Sequence, residues 1–195
     1  MDIDRIGVFM DRDGTVSKEI GYVNHAARYE LLPRTAAAIK LLNQKGIKAI
    51  LATNQAGVAR GYFPEERIKE VHNKLKRLLK EDDAYLDAIY YCKHHPDVGE
   101  GEYRLDCDCR KPKPGMLTRG EKEFGLDLER SYMIGDKISD VETAKRVGSK
   151  GILVLTGYGR GVYEYEQESW PVKPDYIAED LYDAVEWIID DIGLE

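Results

Sequence analysis

The chain has few cysteines, no long apolar run and no excess of positive charge, and each shortage excludes a class of protein. Three cysteines in 195 residues cannot staple a disulfide-dense secreted scaffold, and an odd number cannot pair completely. No apolar stretch approaches the ~20 residues that cross a bilayer, so no membrane association is expected. The first twenty residues carry Asp2, Asp4, Arg5, Asp11, Arg12 and Asp13, unlike the apolar centre of a secretory leader. The cytoplasm is the expected compartment. With 29 Lys and Arg against 36 Asp and Glu the formal net charge is −7. A nucleic-acid or anionic-membrane binder needs a basic surface to displace counterions, so neither partner is expected. A local basic pocket remains compatible with that balance.

What is present is the profile of a folded domain. Apolar residues make up 43% and charged residues, of both signs, 33%, and a chain of this length can bury one core. One domain over residues 1–195 is expected, as a monomer. Short apolar runs at 6–10 (IGVFM), 48–53 (KAILAT), 88–92 (AIYYC), 132–135 (YMIG) and 151–155 (GILVL) are mostly apolar on both faces, as buried parallel strands are. Helical patterns alternate with them. One runs from Pro33 to Gly46, one from Pro64 through Ile68, Val71, Leu75 and Leu79, and one from Pro114 to Phe124 before Gly125. A fourth begins with Ser139 and Glu142 in capping-box spacing and ends at Gly148, and a last covers 181–189. This rhythm predicts an α/β fold with a doubly wound parallel sheet. Residues 156–175, rich in Gly and Tyr, read as a surface loop.

Ligands in such sheets bind beyond the carboxyl ends of the strands, and there the chemistry-bearing residues gather. The first strand ends in Asp11-Arg12-Asp13-Gly14-Thr15. Two carboxylates so close raise one another's pKa unless a cation sits between them, and a hard divalent ion takes oxygen ligands. A turn or a helix cap would use the same residues. The second strand ends in Thr53-Asn54, a hydroxyl and an amide able to donate to an oxyanion. The segment 109–115 (CRKPKPG) brings Arg110, Lys111 and Lys113, cations that can neutralise a phosphoryl group. The fourth strand ends in GDKISD, with Asp136 as a further acid. Asp140 there reads as a first-turn helix residue, where negative charge is favoured anyway. An acid pair, a hydroxyl, a cation and a third acid at successive strand ends suit phosphoryl transfer.

DRDGT, TNQ, the lysine of CRKPKPG and GDKISD resemble, in order and position, the four motifs of the haloacid dehalogenase (HAD) superfamily of phosphatases. GYV at 21–23, TNQAGVARG at 53–61, YYCKHHP at 90–96, CDCRKPKPGM at 107–116 and YMIGDK at 132–137 are similar to the bacterial D-glycero-D-manno-heptose-1,7-bisphosphate 7-phosphatases within it. The resemblance implies a Rossmann-like fold and a Mg²⁺-dependent phosphatase acting on a phosphorylated sugar. It implies that Asp11 is the nucleophile, that Asp13 is the general acid and base, and that Thr53 and Lys111 hold the phosphoryl oxygens. Mg²⁺ would sit on Asp11, Asp136 and the backbone carbonyl of Asp13. Glu19, Ile20, Gly21, Tyr22, Asn54, Gln55, Ala56, Arg110 and Lys137 would meet the rest of the substrate.

Cys92-x-His94 and Cys107-x-Cys109 supply three thiolates and one imidazole within 18 residues, a ligand set suited to a tetrahedral structural zinc site. Their spacings are tighter than the usual C-x₂-C, and the resembled family carries this zinc loop, at about 92–109, with His94 rather than His95 as ligand. With all four positions filled, Zn²⁺ is expected to be structural and to fix Arg110 and Lys111. Only 18 residues separate Gly14 from Pro33 and only 17 separate the third strand from Arg110, which leaves no room for a large cap domain. A histidinol-phosphate phosphatase shares the acid motifs and the zinc loop and is the alternative substrate reading. A non-catalytic zinc-loop binding module is the alternative of another class, and a polynucleotide 3′-phosphatase is disfavoured by the acidic charge.

Overall fold

The computed structural model describes residues 2–194. Six strands, β1 (Gly7–Met10), β2 (Lys48–Asn54), β3 (Ala88–Cys92), β4 (Tyr132–Gly135), β5 (Lys150–Val154) and β6 (Tyr176–Ala178), form one sheet in the order β3-β2-β1-β4-β5-β6. Every pair is parallel. The helices α1 (Thr35–Gln44), α2 (Glu66–Glu81), α3 (Gly115–Phe124), α4 (Ile138–Lys145), α5 (Gly159–Tyr165) and α6 (Leu181–Ile192) lie between and after them. The expected doubly wound parallel sheet is the observed one.

Alternation along the strands divides the core in two. Val8, Met10, Ala49, Leu51, Tyr132 and Ile134 face one layer, packed with α1, α2 and α6 residues such as Ile39, Leu75 and Val185. Phe9, Ile50, Ala52 and Met133 face the other, packed with Met116 and Leu117 of α3 and Ala144 of α4. Strands covered on both faces must be apolar at nearly every position, which is why the sequence shows runs rather than alternation. Among the described residues no helix is long and apolar enough to cross a membrane.

Three expectations are corrected. Residues 156–175 are not all loop: α5 occupies part of them, and a 3₁₀ turn covers Gln167–Ser169. Glycines at 157, 159 and 161 hid the helix, since glycine is a poor helix former; Gly159 is there because a Cβ would lie 1.8 Å from the Val154 carbonyl oxygen. The sixth strand, only three residues long and half-buried at Tyr176 and Ile177, carried no readable period. The capping box of α4 does not use Ser139 and Glu142. Lys137, extended at φ −129°, is the N-cap, and its N–H donates to Asp140 Oδ2 at 3.3 Å.

The chain builds outward from β1 to β3, then crosses back to place β4 on the other side of β1. That reversal opens a crevice beyond the carboxyl ends of β1 and β4.

Candidate active site

Asp11 leaves β1 with its N–H still donating to the Ile134 carbonyl of β4 at 2.9 Å, so the residues after these two strands are held side by side. Asp11 Oδ1 accepts from the Arg12 N–H at 2.8 Å and lies 3.0 Å from Lys111 Nζ. The same ammonium lies 2.6 Å from Asp140 Oδ1. Carboxylate oxygens of Asp11, Asp136 and Asp140 lie within 4.8 Å of one another. Asp140, read from the sequence as an ordinary first-turn acid, is thus part of this cluster and fully buried. Its place in the first turn of a helix that starts directly after β4 is the signal that could have marked it, because the Lys137 N–H holds its carboxylate at the strand end where Asp136 lies.

Burial is the largest influence on these groups, and charge decides the outcome. Asp136, out of water and facing Asp11, is lifted to about 7. Asp140 is lifted to about 6 by burial, against the pull of Lys111. For Asp11 burial also pushes upward, but Lys111 and Lys137 outweigh it and hold the carboxyl below its ordinary value. Lys111 stays protonated: burial would lower its pKa, and Asp11 and Asp140 raise it. One lone oxygen stands out. Asp136 Oδ2 accepts from the Tyr158 N–H at 2.9 Å, whereas Oδ1 is buried with no hydrogen-bond partner. Three converging acids, one with an unpartnered buried oxygen, fit a hard divalent cation such as Mg²⁺.

Asp13 is held apart from this group by Gln55, expected to meet substrate, and by Arg12, to which no role was given. Its Oδ1 accepts from Arg12 Nε at 3.0 Å, and its Oδ2 from Arg12 Nη2 at 2.8 Å and from Gln55 Nε2 at 2.9 Å. Arg12, which is 1% exposed, also reaches Gln55 Oε1 at 2.9 Å and His72 Nε2 at 3.4 Å, and lies 5.9 Å from the Tyr29 ring centroid. A planar guanidinium gripping a carboxylate with two N–H groups fixes orientation as well as position.

Asp11, Asp13, Lys111 and Asp140 open on a cavity of about 360 Å³, with Asp136 and Arg12 buried behind its wall. Thr53 lies on its wall with its hydroxyl accepting from Gln55 Nε2 at 3.0 Å. Gln55 and Asn54 line it too, but their amides are committed: Gln55 to Asp13, Arg12 and Thr53, and Asn54 to the backbone N–H and carbonyl of Lys111, both at 3.1 Å. Ala56, Glu19, Gly21, Tyr22, Arg110 and Lys137 are on the wall. Ile20 is not; it packs against the main core. Lys137 Nζ lies 3.9 Å from Glu19 and 4.7 Å from the Tyr158 ring centroid. Tyr158, from the segment expected to be a plain loop, is half-exposed at the same wall.

Beside the cavity, Sγ of Cys92, Cys107 and Cys109 and a ring nitrogen of His94 gather within 4.8 Å. Cys107 Sγ lies 3.4 Å from Cys92 Sγ and 3.1 Å from Cys109 Sγ, and His94 Nδ1 is 3.6 Å from Cys109 Sγ. Contact with Cys92, and burial, push the Cys109 thiol up, and burial does the same for Cys107. Thiols crowded in this way fit a thiophilic cation that would stabilise their thiolates. His95 turns away, 3.1 Å from Arg60 Nη2. Arg110 Nη1 donates to the His94 carbonyl at 3.3 Å, tying the cluster to the cavity wall.

Comparison with known proteins places this arrangement. A family model described as HAD-hydrolase-like matches residues 108–184. A D-glycero-D-manno-heptose-1,7-bisphosphate 7-phosphatase of Thermosynechococcus vestitus is 42% identical over 94% of this chain and 95% of its own. The chain belongs to the HAD-like phosphatase family. The D-glycero-beta-D-manno-heptose-1,7-bisphosphate 7-phosphatase of Escherichia coli is 40% identical over 77% of this chain and 79% of its own. A crystal structure of the D,D-heptose 1,7-bisphosphate phosphatase of B. bronchiseptica, complexed with magnesium and phosphate, matches with a TM-score of 0.84. It is 32% identical and covers 95% of this chain and 99% of that one. As a HAD-like phosphatase the chain is a phosphoric monoester hydrolase, and Lys111, Asp136, Asp140 and the turn at 156–158 all fall inside the matched family segment.

Proposed function

We propose that this enzyme removes the 7-phosphate of D-glycero-D-manno-heptose 1,7-bisphosphate through an aspartyl-phosphate on Asp11. The observation that carries the reading is the Asp11–Lys111 contact at 3.0 Å in a cavity whose wall also presents Arg110 and Lys137. A carboxylate approaching a phosphate meets repulsion of about 4 kcal/mol per charge pair at 4 Å and an effective dielectric near 20. Lys111 offsets part of that repulsion and holds Asp11 ionised for attack. The attacking Asp11 oxygen bonds to phosphorus as the bond to the substrate oxygen at C7 breaks. Asp13, oriented by Arg12 and Gln55, gives its proton to the departing oxygen. Asp13, now a carboxylate, then takes a proton from water as that water attacks phosphorus, releasing phosphate and restoring Asp11. Thr53 and Lys111 hold the phosphoryl oxygens through the transfer. Asp11, Asp136 and the Asp13 carbonyl are the residues to hold Mg²⁺, which when bound neutralises charge on the transferring group.

Arg110 and Lys137 supply two cations for the second phosphate of the substrate, the arginine able to bind it with two N–H groups. Cys92, His94, Cys107 and Cys109 hold Zn²⁺ as a structural ion. The relatives' names support the heptose substrate. Phosphate release from heptose 1,7-bisphosphate, heptose 7-phosphate and histidinol phosphate, measured side by side, tests it: the bisphosphate should have the highest kcat/KM. Histidinol phosphate turned over ~100-fold faster would replace this assignment.

A further inference from the structure

The turn after β5, Thr156-Gly157-Tyr158, has no part in the chemistry above, yet it touches Asp136 and the turn after β1 at three points. Thr156 Oγ1 donates to the Gly14 carbonyl at 2.6 Å, across 142 residues of sequence. The Tyr158 N–H donates to Asp136 Oδ2 at 2.9 Å. Between them Gly157, at φ +56°, is packed so closely that a Cβ would lie 2.3 Å from Asp136 Oδ2 and 2.5 Å from Gly14 Cα. Gly14, at φ +83°, faces the same carboxylate, with a built Cβ 2.1 Å from Oδ2. The turns after β1, β4 and β5 therefore meet at one carboxylate oxygen. Fixing Oδ2 from behind fixes the direction of Oδ1, the buried oxygen left without a partner.

We propose that residues 156–158 are the positioning element of the cation site: the Tyr158 N–H sets which oxygen of Asp136 is free to bind Mg²⁺, and the Thr156 hydroxyl holds the Asp13-Gly14 turn at the matching distance. None of the three is a catalytic residue. The backbone of Tyr158 acts, not its ring, and Gly157 is required because only glycine combines that φ with that approach. Partners of this kind tune ligands they do not replace, and losing one costs about 10- to 100-fold in metal affinity. The inference rests on the Mg²⁺-dependent reading given above.

Calorimetric titration of Mg²⁺ alone into the metal-depleted, zinc-retaining full chain tests it. Position 158 has φ −81°, within proline's range, but proline's Cδ would stand where the N–H meets Asp136 Oδ2, so Tyr158→Pro removes the donor and also crowds the carboxylate, whereas Tyr158→Ala deletes only the ring. Tyr158→Pro should weaken Mg²⁺ binding by about 10-fold or more, and Tyr158→Ala should bind as the wild type does. Thr156→Val should weaken binding by about 10-fold, with Thr156→Ser restoring it. A Thr156→Val protein that melts cooperatively and binds Mg²⁺ within twofold of wild type overturns the proposal, and this pair decides the matter if Tyr158→Pro does not fold. A wild type that takes up no Mg²⁺ overturns this inference and the Mg²⁺-dependent reading together; wild-type binding matched by every variant overturns this one alone.

Discussion

Arg12 shows how much one side chain between two acids can decide. It grips Asp13 with two N–H groups, and a lysine in its place would offer a point charge with no fixed plane. The consequence should appear where proton donation matters. Arg12→Lys is expected to lower kcat/KM for an alkyl phosphate by roughly 10- to 100-fold. The loss should be far smaller for an aryl phosphate, whose leaving group departs without a proton; equal losses on both substrates would mean that Arg12 does not act through Asp13. His72, pressed against Arg12, carries a pH prediction. Burial, and the charges of Arg12 and Lys76, hold its pKa at about 3, below the ordinary 6.5. The unfolded chain therefore binds this proton first as pH falls, and stability contributed by the neutral ring is present above pH 6.5 and lost towards 3. The slope approaches about 1.4 kcal/mol per pH unit. Urea unfolding at pH 7 and pH 5 should show the wild type losing roughly 2 kcal/mol more than His72→Gln; parallel losses would contradict it. Neither residue was legible in the sequence, because each matters through a neighbour brought close by folding: Arg12 by facing Asp13, and His72 by pointing inward from α2.

At the level of the element, the strands were readable because parallel strands buried on both faces leave continuous apolar runs, as VFM and ILA do. The helices were readable where Pro opened or Gly closed them. What escaped was α5, masked by glycines needed for close packing, and β6, too short to show a period. The cap of α4 was misassigned because Asp140 serves two partners at once, the Lys137 N–H and Lys111 Nζ, and only the first is local. Helix α3 offers a contest between propensity and packing. Replacing Gly120 by Ala adds helix propensity worth about 1 kcal/mol. Its Cβ, however, would lie 2.7 Å from Cζ of the fully buried Phe9 ring, and overpacking a rigid core costs about 1–3 kcal/mol. Packing should win. Gly120→Ala is expected to lower the urea midpoint at unchanged slope, and a rise would show that the ring yields freely.

Across the whole molecule, the candidate site was partly legible for a topological reason: acid, hydroxyl, cation and acid appear in sequence at successive strand ends, and a parallel sheet delivers all such ends to one edge. Asn54 and Gln55 stood out in the TNQ motif, but the bonds that commit their amides, and the part played by the 156–158 turn, required the three-dimensional approach. The zinc-loop reading joins two parts of the molecule, since Arg110 bonds the His94 carbonyl and Asn54 bonds the backbone of Lys111. Stripping zinc with a strong chelator, then restoring Mg²⁺, should lower Tm by several degrees and raise KM for the bisphosphate substrate. Re-addition of zinc should reverse both changes, whereas an unchanged KM would separate the loop from the cavity. The position of β1 has a consequence of its own. Flanked by β2 and β4, it has both edges bonded and both faces covered, so its amide protons can exchange with solvent only when the whole sheet opens. The backbone leading to Asp11 is thus protected by the global rather than a local opening equilibrium, and fluctuations at the edge strands β3 and β6 can come and go while Asp11 keeps its place.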